Sequence, residues 1–257
     1  MGGSPIVHRM RRLPRIFGLL FTAALALGLS GAAAGVKRPL VVELFTSQGC
    51  DSCPPADALL AKLSERKDIL ALSLPVTYWD MLGWKDTLAS EANTRRQKAY
   101  AAAMGRGGIY TPQMIVDGAT DVVGSREAQV ESAIAARMAD MRSIPVSLTA
   151  TPATIHISVG AGTQKNGSEA TVWLFHILGH AWVHVSAGEN QGRNLVYRNS
   201  VRDVRAIGIW KGQPLTLDLP RSDPLGSSYD LVAVVVQEGG YGRIIGASLL
   251  DAPENPQ

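Results

Sequence analysis

Two cysteines, Cys50 and Cys53, are the only thiols in this 257-residue chain. They stand two residues apart in the stretch Val41-Val42-Glu43-Leu44-Phe45-Thr46-Ser47-Gln48-Gly49-Cys50-Asp51-Ser52-Cys53-Pro54-Pro55. A short apolar run ends there in a polar turn, and the prolines that follow open a helix. A thiol pair at the mouth of a helix suits thiol–disulfide exchange, because the unpaired N–H groups and the positive dipole end favour a thiolate. Cys50, the N-terminal and expectedly exposed member, would attack a disulfide, and Cys53 would resolve the mixed disulfide. As a structural staple the pair is poor, since a four-residue ring constrains little of the unfolded chain. A zinc site needs about four ligands, so two would have to come from His156, His176, His180 or His184, which lie in strand-like sequence. No metal and no cofactor is assigned.

Further candidates surround the pair. Glu43, seven residues before Cys50, would move a proton to the resolving thiol if buried, or else face solvent or an ion pair. Trp79, Asp80 and Trp84 lie in an aromatic loop and are candidates for a substrate-binding wall, with core or interface packing as the alternative. Glu189, Asn190 and Arg193 stand in a Gly-rich turn, where a hydrogen-bonded turn is preferred to a ligand site.

The surrounding elements follow from periodicity. Leu40–Phe45 and Ile69–Val76 are near-continuous apolar runs, as strands covered on both faces show. Between them Ala56, Leu59, Leu60 and Leu63 recur at helical spacing, giving a βαβ unit with a parallel pair. A helix from about Asp86 to Met104 is predicted next, then a short strand at Gln113–Val116, an Asp117-Gly118 hairpin turn and a returning strand at 121–124. Ser125 is expected to cap a helix over about Arg126–Met141. From Pro145 onward the period changes to two: strands are expected at Val146–Thr149, Thr154–Val159, Thr171–Leu178, Trp182–Val185, Leu215–Leu219, Leu231–Gln237 and Arg243–Leu250, with a short helix near Val201–Ile207. Aromatic residues are 6% of the chain, so the core must rest on aliphatic side chains.

Compartment follows from the first thirty-odd residues. Arg9, Arg11, Arg12 and Arg15 precede an apolar run from Ile16 to Leu29, and small residues end at Ala34. That is the order of a secretory signal peptide cleaved near Ala34, and the run is shorter than the roughly 20 residues of a membrane span. A periplasmic or secreted protein with no stable membrane span is expected. The formal charge of +3 loses four arginines with this segment, leaving +3 − 4 = −1, so nothing favours a nucleic-acid partner. Partners are expected instead among protein or small-molecule thiols and disulfides. The domains read as 1–34 signal peptide, 35–142 α/β thioredoxin-like domain and 143–257 mainly β, sandwich-like domain.

The order β-α-β-α-β-β-α over the first domain is that of a thioredoxin fold, and the Cys50–Cys53 motif looks like its redox motif. Thr111-Pro112, about sixty residues on, looks like the cis-proline that thioredoxin-like proteins set against the thiol pair. Both would form a docking edge for an extended substrate. More closely, Glu43–Pro55, Tyr78–Asp86, Tyr110–Gly118 and Gly188–Arg193 resemble exported bacterial proteins known only as a domain of unknown function, DUF family 1223. That resemblance implies a thioredoxin-like fold and no established reaction. Gly49 departs from thioredoxins, where a tryptophan usually precedes the first cysteine. Pro54 and Pro55 predict a later helix start, since a residue before proline disfavours helical geometry.

Overall fold

The computed structural model describes residues 1–4, 38–164, 167–221 and 229–251. The expected signal segment therefore lies outside the described residues. Strand β1 (Leu40–Thr46) and strand β2 (Ile69–Pro75) run parallel, Leu40 opposite Ile69 through Thr46 opposite Pro75, with helix α1 (Pro54–Ser64) as their crossover. Every residue of both strands is buried. Successive side chains point to opposite faces. Leu40, Val42 and Leu44 pack against Leu59, Leu60 and Leu63 of α1, while Val41 and Phe45 turn to the other face with Tyr100.

A single 3₁₀ turn (Asp80–Leu82) precedes helix α2 (Glu91–Ala103). This helix starts five residues later than its periodicity predicts. Ser90 caps it, its hydroxyl accepting from the Asn93 N–H, because Asp86 is already used in a turn of its own: its Oδ1 accepts from the Leu88 and Ala89 N–H groups. Strand β3 (Gln113–Val116) lies antiparallel to β1, and strand β4 (Thr120–Val123) returns beside it. The Asp117-Gly118 turn between them has φ values of 52° and 67°, both in the left-handed region that a tight hairpin requires. Helix α3 (Glu127–Ala139) follows with Arg126, not Ser125, at its N-cap and no side-chain cap bond. It buries Val130, Ala133 and Ile134 on the α1 side of the sheet.

The remaining chain is strand: β5 (Val146–Ala150), β6 (Thr154–Val159), β7 (Ala170–His184), β8 (Asn194–Trp210), β9 (Leu215–Pro220), β10 (Leu231–Glu238) and β11 (Ile244–Asp251). β7 is continuous where two strands are expected, and Val201–Ile207 is strand rather than helix. Cross-strand pairing decides this: β8 pairs with β7 from Ala170–Trp210 to His184–Asn194.

The expectation of an α/β thioredoxin-like domain followed by a separate, mainly β domain is overturned. Eleven strands and three α-helices occur among the described residues, and eight strands form one mixed sheet in the order β11-β10-β7-β8-β2-β1-β3-β4. β8 lies parallel beside β2, joined at Ser73 and Ser200, so strands from the second half of the chain extend the sheet begun in the first. Residues 142–145 connect α3 to β5, and the Ile144 N–H donates to the Ile245 carbonyl at 2.8 Å. A three-stranded sheet, β5-β6-β9, covers the far half of the large sheet, its Leu148, Ile155 and Ile157 meeting Val172, Leu174, Val232 and Val234. No helix among the described residues is long and apolar enough to cross a membrane.

Candidate functional site

The end of β1 delivers Thr46 to a polar turn, and the turn delivers both cysteines to the start of α1. Cys50 and Cys53 form a disulfide, with Cα atoms 5.4 Å apart. Cys53 is the N-cap of α1, and its carbonyl accepts from the Ala56 and Asp57 N–H groups at 2.9 and 3.1 Å. Pro54 and Pro55 occupy the first two helical positions, where no N–H is needed. Cys53 itself has helical φ and ψ of −78° and −37°, so the helix begins at once rather than later. Both cysteines are 0% exposed, contrary to the expectation of an accessible Cys50. The Ser52 hydroxyl lies 3.3 Å from Cys50 Sγ, which carries no proton in a disulfide, so the hydroxyl donates.

One turn along α1, on the face of Cys53, stands Asp57. Positions four apart on a helix bring Cβ atoms to about 5–6 Å. The Thr46 hydroxyl donates to Asp57 Oδ1 at 2.8 Å, while Oδ2 is buried without a partner. Burial pushes this carboxyl up to about 8, the Thr46 bond opposes the rise and the Asp86 charge adds to it. Asp86 is itself pushed up to about 6 by burial, held back by the N–H groups of Gln48, Leu88 and Ala89. The Tyr197 hydroxyl is buried and unpartnered, its pKa raised by burial first and by Asp57 and Asp86 next. Two buried carboxyls with raised pKa values thus act electrostatically on the same buried phenol.

The residues expected around the thiols fall into two groups. Trp79 Nε1 donates to Thr111 Oγ1 at 2.8 Å, and its Cβ lies 3.3 Å from where a side chain on Gly49 would begin. A side chain at position 49 would therefore press on Trp79. Trp84 Nε1 donates to Gln48 Oε1 at 2.8 Å, and Asp80 Oδ1 accepts from the Asp86 N–H at 3.0 Å. The Thr111–Pro112 peptide is cis, and pairing of Phe45 with Gln113 brings Pro112 to the sheet end where β1 enters the cysteine turn. These five residues gather at that end.

Glu43 does not join them. It points to the opposite face from α1, fully buried, with Oε1 2.6 Å from Arg96 Nε and Oε2 accepting from Arg96 Nη2 and the Tyr100 hydroxyl. Arg96 lies in turn against the rings of Tyr100, Trp173, Phe175 and Tyr241. Both carboxylate oxygens of Glu43 are committed to this ion pair. The histidines are also spread apart: His156 Nδ1 meets Asp218, His176 Nδ1 lies 3.4 Å from Asp203, and His184 Nδ1 meets Asn194. Among the described residues no group of three or more His, Cys, Asp or Glu side chains is arranged to hold a metal ion.

Two residues gain weight that sequence reasoning withheld. Asp57 had a legible signal, an acid on the apolar stripe of Ala56, Leu59, Leu60 and Leu63 four residues after a cysteine. Asn190 stood in a turn of no stated target, and only the fold brings it 140 residues back to the cysteines. Its Nδ2 donates to the carbonyls of Gln48 and Cys50 at 2.9 and 2.8 Å.

Similarity to known proteins rests on this frame. No curated protein matches the chain. Among solved structures, the X-ray crystal structure of a protein from Agrobacterium tumefaciens is 37% identical with a TM-score of 0.73, over 85% of this chain and 96% of that one. HBP35 of Porphyromonas gingivalis shares the fold at a TM-score of 0.60 and 14% identity, over 85% of this chain and 76% of that one. The family model described as "Protein of unknown function (DUF1223)" matches residues 41–237, and the chain belongs to that family.

Proposed function

We propose that this chain is an exported thiol–disulfide oxidoreductase acting on protein or small-molecule disulfides through Cys50 and Cys53. The observation that carries the reading is Asp57, a carboxyl buried one helical turn beyond Cys53 with one oxygen unpartnered, which burial pushes up to about 8. A staple needs no such group, and a buried acid with an unpartnered oxygen is a cost to the fold. In the reductive half-reaction, the thiolate of a dithiol donor attacks Cys50 Sγ. The new sulfur–sulfur bond forms as Cys50–Cys53 breaks, and Cys53 leaves with the electron pair. The helix N-terminus favours its departure as a thiolate, and Asp57 then gives Cys53 a proton. The donor's second thiolate then attacks the mixed disulfide and leaves as the donor's own disulfide, with Cys50 as thiolate beside the Ser52 hydroxyl. Transfer to a substrate disulfide runs these steps in reverse, and Asp57 recovers its proton. Trp79, Trp84, Thr111 and Pro112 would line the approach.

A second reading is favoured by one observation: both cysteines are sealed from solvent. A non-catalytic secreted binding module with a structural disulfide would look the same at rest. Incubating a Cys53→Ser variant with oxidised insulin and reading its mass decides between them. The oxidoreductase reading predicts a mixed disulfide on Cys50 and catalysis of insulin reduction by the wild type. Absence of both outcomes would support the binding module.

A further inference from the structure

The turn Gly188-Glu189-Asn190-Gln191-Gly192-Arg193 joins β7 to β8 and is not explained by the needs of a hairpin. We propose that it is the lid of the disulfide and that Asn190 is its latch, a positioning residue that sets access to Cys50. The proposal concerns access alone, so it stands whether or not the pair turns over a substrate.

Three hydrogen bonds tie the turn to residues 48–51. Asn190 Nδ2 has two N–H groups, and both are spent, one on the Gln48 carbonyl and one on the Cys50 carbonyl. These carbonyls flank Gly49, so a single carboxamide fixes the backbone leading into the first cysteine. At the outer edge the Asp51 N–H donates to Glu189 Oε2 at 3.2 Å. Asn190 is fully buried, yet its Oδ1 has no partner. The latch is therefore closed on one side of its amide and unsatisfied on the other, a contact that holds without locking.

The turn hangs from a fixed base. Its base is pinned where the Val185 N–H donates to the Arg193 carbonyl and the Gly192 N–H to the Val185 carbonyl, at 2.9 and 2.8 Å. Gly188 and Gly192 have φ values of 78° and 80°, which favour glycine. A side chain at 188 would begin 3.2 Å from Trp84 Cβ, so glycine also lets the turn lie flat on the aromatic loop. Val185 and Leu195 anchor the hairpin end in a small apolar cluster with Leu88 and Tyr197. The segment between pinned base and latch lies against residues 48–51, which lead into the buried disulfide.

The test is the rate at which dithiothreitol reduces the disulfide, read by acid quench, alkylation and mass. Asn190→Ala should speed reduction about thirtyfold, the shift in a local opening equilibrium expected for two lost ordinary hydrogen bonds. Its unfolding free energy in urea should fall by about 2 kcal/mol, the same thirtyfold, because the closed state loses those bonds relative to the open and the unfolded states alike, with the slope m unchanged. Asn190→Asp, which turns a carboxylate toward two carbonyl oxygens, should open the site at least as far. A wild-type rate in both variants would overturn the proposal. A measurement on the wild type alone guards against variants that fail to fold. If the lid opens locally, low urea leaves the reduction rate nearly flat, whereas a rate rising with the full slope of global unfolding contradicts the lid. Faster reduction of Asn190→Ala together with no insulin turnover would keep the latch and remove the oxidoreductase reading.

Discussion

Replacing Asp57 by asparagine should change how stability depends on pH, and the sign follows from the direction of the shift. The folded carboxyl holds its proton to about pH 8, whereas an unfolded aspartate ionises near 3.9. Between those values folding takes up a proton. The stability owed to the neutral carboxyl is thus complete below about pH 4 and is lost as pH rises toward 8. Each pH unit in that window corresponds to about 1.4 kcal/mol, so by pH 7 the loss is on the order of 4 kcal/mol. Asparagine keeps the shape and an oxygen for the Thr46 hydroxyl, but it has nothing to titrate. Urea unfolding of the two oxidised proteins at about pH 5, 6 and 7 should show the variant gaining on the wild type by about 1.4 kcal/mol per unit. A difference that stays constant across that range would mean Asp57 ionises like an ordinary carboxylate, and the proton-donor role would fall with it.

Other perturbations have equally definite outcomes. Glu43→Gln leaves the Arg96 guanidinium buried without its counter-ion and should cost about 3–5 kcal/mol, read by thermal or urea unfolding; a loss below about 1 kcal/mol would refute the ion-pair assignment. Replacing both cysteines by serine opens a ring of only four residues, so unfolding free energy should fall by about 2 kcal/mol with the fold kept. Gly118→Ala would put a Cβ 2.2 Å from the Gly242 carbonyl oxygen at a φ of 67°, and its unfolding midpoint should drop sharply.

Local elements were legible in the sequence where pattern and chemistry agree. β1, α1 and β2 follow from apolar runs and proline punctuation, and the β3–β4 turn from Asp117-Gly118. What periodicity does not carry is which strands meet. The pairing of β2 with β8 joins Ser73 to Ser200, residues far apart in sequence, and that contact continues the sheet of the first half of the chain with strands of the second. The same limit applied at the site. Cys50, Cys53, Thr111 and Pro112 are visible as a spacing, but the sequence leaves Glu43 open between a proton-moving acid and an ion pair, because Arg96, its partner on α2, is 53 residues away. Asp57 is the buried acid on the helix that Cys53 caps, and Asn190 reaches the cysteine turn only through the long β7–β8 hairpin.

The central claim is that the Cys50–Cys53 bond is a redox couple rather than a staple, and its equilibrium reduction potential tests this most directly. Titration of the wild-type protein in glutathione or dithiothreitol buffers, with the thiol fraction read by alkylation and mass, should give a value between about −120 and −270 mV. A potential below about −300 mV would contradict the account.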